Sequence, residues 1–161
     1  MDADEPGWPI IDDFFRDLAV GRSVTTARRY LRVRARLYRF LDTADLGTAL
    51  GPALGEDAAT ALERGRQTHA SGSFWALYGL DELSRCLPAF VHEPWLPVGL
   101  AEARTQLSVV SRLAARLGAT PASSETAVAV AQARERLDRR PPVIEPARMP
   151  ARFLAHPGPL W

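Results

Sequence analysis

The stretch from Val24 to Leu41 constrains this chain more than any other. Its eighteen residues contain no glycine and no proline, so the strongest helix breakers are missing. On a helical wheel with Val24 at zero, Arg28, Arg39, Arg32, Arg36 and Arg29 fall at roughly 40°, 60°, 80°, 120° and 140°, with Thr25 at about 100°. Val33, Leu37, Phe40, Leu41, Tyr30, Tyr38, Ala27, Leu31 and Ala35 fill most of the remaining arc, interrupted by Arg34 alone. The pattern predicts a long helix, N-capped by Ser23, that buries one side and presents a row of guanidinium groups on the other.

The rest of the chain reads as helix too. β-Branched alternation is almost absent and Leu, Ala and Arg dominate, which predicts an all-α, single compact bundle of five or six helices. A first helix is expected over Pro9–Val20, broken at Gly21-Arg22. A Gly/Pro-punctuated connection follows over Asp45–Gly55, then a weaker helix over Glu56–His69. Ser71-Gly72-Ser73 restarts the chain into an apolar helix to about Val91, which Gly79 weakens and Pro88 is expected to kink or split. Pro94 to Pro97 ends it. Leu100–Leu117 is a clear helix stopped by Gly118, and Ser123–Arg139 a small-residue one. Six prolines in the last 21 residues mark 141–161 as an irregular tail on a helical domain of residues 1–140.

Composition narrows the function classes. A chain of 161 residues, 47% apolar and 24% charged, is the balance of one soluble domain. No apolar run reaches spanning length and the N-terminus is acidic, so neither a membrane helix nor a secretory signal is expected, and a reducing cytoplasmic setting is the default. The single cysteine, Cys86, cannot form an internal disulfide. His69, His92 and His156 lie at no metal-ligand spacing. With Cys86 and Ser71-Gly72-Ser73 they compose no triad or nucleophile elbow, and the glycines Gly47, Gly51 and Gly55 have no lysine to complete a phosphate loop. No enzyme, no metal and no cofactor are expected.

Charge is segregated along the chain. All 20 basic residues are arginine and no lysine or asparagine occurs, a bias that a GC-rich genome accounts for. Composition does not account for placement. Residues 1–17 hold six acids against Arg16, and residues 18–41 hold seven arginines and no acid. Inside 24–41 no acid stands at i+3 or i+4, so the arginines repel one another and call for an external anion. Guanidinium forks match phosphate oxygens and guanine edges, and a helix of this width fits the major groove. The Leu100–Leu117 helix adds a fainter polar face of Arg104, Thr105, Ser108, Arg112 and Arg116.

The run Phe14-Phe15-Arg16-Asp17-Leu18, then Arg22-Ser23-Val24-Thr25-Thr26-Ala27-Arg28-Arg29-Tyr30-Leu31-Arg32, then Tyr38-Arg39-Phe40-Leu41 resembles the N-terminal, SAM-like core-binding domain of tyrosine recombinases (phage integrases). Ser23, Thr26 and Tyr30 match that family's Ser-x-x-Thr-x-x-x-Tyr helix. The Arg104-Thr105-Gln106-Leu107 … Leu117 helix is similar, more loosely, to the family's last core-binding helix. The resemblance covers residues 10–42 and, in part, 100–117. It implies a four-helix clamp on one side of duplex DNA with these two helices against the major groove. The recombinase chemistry needs a His-x-x-Arg that this sequence lacks, so the implied activity is binding without recombination.

The sequence therefore predicts a non-enzymatic module for double-stranded DNA. Its contacts would be Thr25, Arg28, Arg29, Arg32, Arg36 and Arg39, with Arg104, Ser108, Arg112 and Arg116 on the second helix. Arg32 and Arg36, as exposed residues, are expected to be replaceable without cost to stability. The alternative is a protein–protein module, in which the basic face meets an acidic partner and Phe74, Trp75, Tyr78 and Trp95 form a groove instead of core. The Pro-rich tail, with Phe153, Leu154, Leu160 and Trp161, is expected to dock on its own domain. Convergence of the two basic faces would favour DNA; coverage of the stripe by acidic residues 1–17 would favour the partner protein.

Overall fold

The computed structural model describes residues 8–47, 49–50, 56–68 and 72–139, and no strand occurs among them. The tail 141–161, its self-docking, and His69, His156, Gly51 and Gly55 lie outside the described residues. Helix α1 (Trp8–Ala19) ends in the turn at Gly21, whose φ of 69° is left-handed backbone that glycine adopts without steric penalty. Ser23 then caps as the sequence predicts: its backbone is extended and its Oγ accepts the Thr26 N–H at 3.3 Å. Helix α2 runs unbroken over Val24–Thr43.

The far end of α2 is closed from elsewhere in the chain. The Arg66 guanidinium donates to the carbonyls of Leu41 (2.8 Å) and Ala44 (2.7 Å). It thereby satisfies orphan acceptors and places a cation at the negative end of the helix dipole. Five more helices follow: α3 (Glu56–Thr68), α4 (Ser73–Leu77), α5 (Leu80–Phe90), α6 (Leu100–Leu117) and α7 (Pro121–Asp138).

The all-α expectation holds, with seven helices among the described residues where the sequence predicts five or six. The extra one arises because the apolar segment divides at Tyr78-Gly79, both extended, and not at Pro88. Glu82 Oε2 accepts the Gly79 N–H at 2.9 Å, which gives α5 a capped start. Pro88 stays inside α5 in its final turn, where the helix forgoes the hydrogen bond its missing N–H would make without breaking there. Helix α7 starts two residues before the expected Ser123, because Thr120 Oγ1 accepts the Ser123 N–H (3.1 Å) and Pro121 fits the first turn.

The helices close around one core. Helix α2 packs on α1, α4 and α6, helices α5, α6 and α7 pack on one another, and α3 packs on α4. Leu37, Phe40, Leu83, Leu87, Phe90, Leu107 and Leu113 are each no more than 1% exposed, and burial of each such side chain contributes about 1.5–3 kcal/mol. The Phe40 ring lies 5.2 Å from those of Phe90 and Trp95. Phe74 and Trp75 are buried, so at those two positions the aromatic helix supplies core and not a groove. The connection after α2 also contributes: Leu46 and Leu50 are buried, and the Leu50 N–H donates to the Leu46 carbonyl at 2.9 Å. One part of the apolar arc does not go inside. Val24 and Leu31 of α2 and Leu100 of α6 are exposed, because α2 buries only Val33, Leu37, Phe40 and Leu41 against its neighbours.

Candidate nucleic-acid interface

Helices α2 and α6 lie side by side and run parallel. Arg32 bonds Glu102 and Arg36 bonds Gln106, both across 70 residues of sequence, so four residues forward on one helix correspond to four forward on the other. The arginine stripe of α2 therefore borders the polar face of α6 along a shared seam.

The stripe divides into two sets. Thr25, Arg28, Arg29 and Arg39 are exposed on α2 and Arg112 and Arg116 on α6. None of these five guanidinium groups has an ion pair or hydrogen bond to another described side chain. Arg32 and Arg36 behave differently. Arg32 Nη1 is 2.6 Å from Glu102 Oε1, Arg36 Nη2 is 3.5 Å from Glu102 Oε2, and Arg36 Nη1 donates to Gln106 Oε1 at 2.8 Å. These two arginines tie α2 to α6; Arg32 is exposed as expected, whereas Arg36 is half-buried. Arg104 is likewise tied, to Asp138 of α7 at 2.9 Å, and Ser108 is half-buried. Glu102 is the only acid of α6.

Gln106, which is not among the site residues expected from the sequence, anchors the centre of the seam. Its amide nitrogen donates to the carbonyls of Phe90 (2.8 Å) and Trp95 (3.1 Å) while its oxygen accepts from Arg36. The side chain is fully buried. A buried amide satisfied on both sides has one orientation, and so it aims Arg36.

Of the acidic residues 1–17, Asp2, Asp4 and Glu5 lie outside the described residues; Asp12 and Asp13 do not pair with the stripe. Asp12 of α1 takes Arg34, the one arginine outside the row, with Nη2 at 2.8 Å and Nε at 3.0 Å. The Tyr38 hydroxyl donates to the same carboxylate oxygen. Burial, and then this bond to Asp12, push the Tyr38 hydroxyl up to about 12, so the phenol stays protonated well above neutral pH. Asp13 pairs with Arg16 of its own helix at 2.5 Å.

The remaining chemically capable groups are dispersed. Cys86 is fully buried, and desolvation pushes its thiol up to about 12, which suppresses the thiolate needed for reactivity. Burial and then the neighbouring Arg136, whose Nη2 is 3.0 Å from His92 Nδ1, hold His92 below the usual imidazole range. A cleft of about 680 Å³ lies where α5 meets the start of α7, lined among others by Asp45, Asp81, Ser84, Arg85, Thr120 and Glu125. It brings together no histidine or cysteine. Among the described residues no group of three His, Cys, Asp or Glu side chains is placed to hold a metal ion, and no helix is long and apolar enough to cross a membrane.

No protein-family model, curated protein or solved structure matches this chain.

Proposed function

We propose that this chain is a non-enzymatic, helical DNA-binding module that lays the α2–α6 seam along a duplex, in the manner that its resemblance to recombinase core-binding domains implies. The observation that carries the reading is the set Arg28, Arg29, Arg39, Arg112 and Arg116. All are exposed on α2 or α6, the two helices that Arg32 and Arg36 join, and none is neutralised by a described acid. Five like charges on two adjacent helices repel, and a polyanion relieves that repulsion while the counterions it releases drive binding. Phosphate contacts of this kind fix orientation on the duplex; base selection would fall to Thr25 and to whichever guanidinium reaches a guanine edge.

A second reading has its own observation. Val20, Val24 and Leu31 are 72%, 67% and 54% exposed and lie beside Arg28 around the start of α2. Such a strip suits a partner protein with apolar and acidic side chains. Arginine footprinting separates the two. Phenylglyoxal labelling read by mass spectrometry, with and without a 20-base-pair duplex, is expected to show protection of Arg28, Arg29, Arg39, Arg112 and Arg116. Arg85 on α5 and Arg134 on α7, also exposed, should label equally in both samples. Uniform labelling of all seven would overturn the DNA reading and leave the partner-protein one.

A further inference from the structure

We infer that Arg32 and Arg36 form a phosphodiester-binding fork that Glu102 occupies in the free protein and that a DNA phosphate takes over in the complex. The inference rests on the DNA reading above and adds a residue that holds the interface closed. Its geometry is that of an occupied anion site. The two oxygens of one carboxylate are shared between two arginines of α2, Oε1 with Arg32 at 2.6 Å and Oε2 with Arg36 at 3.5 Å. A phosphodiester offers the same set, two unshared oxygens carrying one negative charge, and guanidinium groups bind either in the same way.

Three further features make exchange feasible. First, the fork does not need Glu102 to stay in place, because Arg36 is aimed independently by Gln106 at 2.8 Å, itself anchored to the carbonyls of Phe90 and Trp95. Second, the site opens to solvent: Arg32 and Glu102 retain 63% and 36% of their side-chain exposure, and ion pairs this exposed contribute little to stability. Third, Arg28, Arg29 and Arg39 flank the fork without acids of their own, so the local potential draws in a polyanion more strongly than the lone carboxylate can oppose. In the complex Glu102 would stand beside the phosphate it mimics. The side chain must swing outward, and that movement and the residual repulsion lower the affinity of the wild-type protein.

Removing the charge tests this. A fluorescent duplex is titrated, across a salt series, with the wild-type protein, Glu102→Gln and Glu102→Ala. Glutamine keeps the shape and an acceptor for Arg32; alanine removes the competitor altogether. Both variants are expected to bind about three- to tenfold more tightly at low salt, with a log–log salt slope steeper by up to about one, because the site meets the phosphate with one more net positive charge. Their melting temperatures should stay close to wild type. Tighter binding by the variants, including binding where wild type shows none, supports the fork. Equal or weaker binding by folded variants, or a large loss of stability in both, overturns it and leaves the DNA reading standing if wild type binds. If neither the wild type nor either variant binds, the DNA reading itself fails, and the fork with it.

Discussion

A protein with Arg28, Arg29 and Arg39 all changed to alanine is expected to fold like the wild type and to bind duplex DNA about two orders of magnitude more weakly. The stability half follows from exposure. None of the three guanidinium groups bonds a described side chain, and alanine is the best helix former. The change also relieves like-charge spacings within the row, Arg28 against Arg32 and Arg36 against Arg39. The binding half follows from counterion release. Three lost phosphate contacts flatten the salt slope by about 2.7, and at about 1 kcal/mol each they cost roughly 100-fold in affinity. Fluorescence anisotropy against duplex, beside a thermal melt, checks both halves. A folded variant that binds as the wild type does would remove α2 from the interface.

Gln106→Leu is expected to be the most damaging conservative change in the fold. Leucine fills nearly the same volume, so packing alone predicts a mild effect. The structure predicts otherwise, since the substitution orphans the carbonyls of Phe90 and Trp95 and takes the acceptor from Arg36. Buried groups left unsatisfied cost about 1–3 kcal/mol each, so a total of about 3 kcal/mol and a drop of roughly 10 °C in melting temperature are expected. A melt within 2 °C of wild type would show that solvent or rearrangement replaces these bonds.

These two residue sets differ in how far the sequence exposes them. The α2 row is legible because it is local: a cap, a 3.6-residue period and no breaker all fall within one stretch. Ser23 and Thr26, which carry part of the recombinase resemblance, bond each other as that cap, so those two positions are explained by helix initiation alone. Gln106 lies within the buried arc of its wheel, between Ala103 and Leu113, and a polar residue there is a readable signal; its partners are not, because they are carbonyls of another segment. Arg32 and Arg36 read as unattached since Glu102 and Gln106 lie far away in sequence and only the parallel packing of α2 on α6 brings them together. Arg66 was equally silent, capping α2 from the next described helix. Pro88 is the stronger breaker by residue type, yet the backbone breaks at Tyr78-Gly79, where Glu82 caps the new helix start.

The central claim is that unneutralised arginines on the α2–α6 seam meet a phosphate backbone, and the salt dependence of duplex binding by the unmodified protein tests it most directly. Five phosphate contacts at about 0.9 each set an upper bound near −4.5, and three set a lower one near −2.7. A log–log slope of about −2.7 to −4.5 is expected between 50 and 200 mM salt. No binding at the lowest salt, or an affinity indifferent to salt, would contradict it.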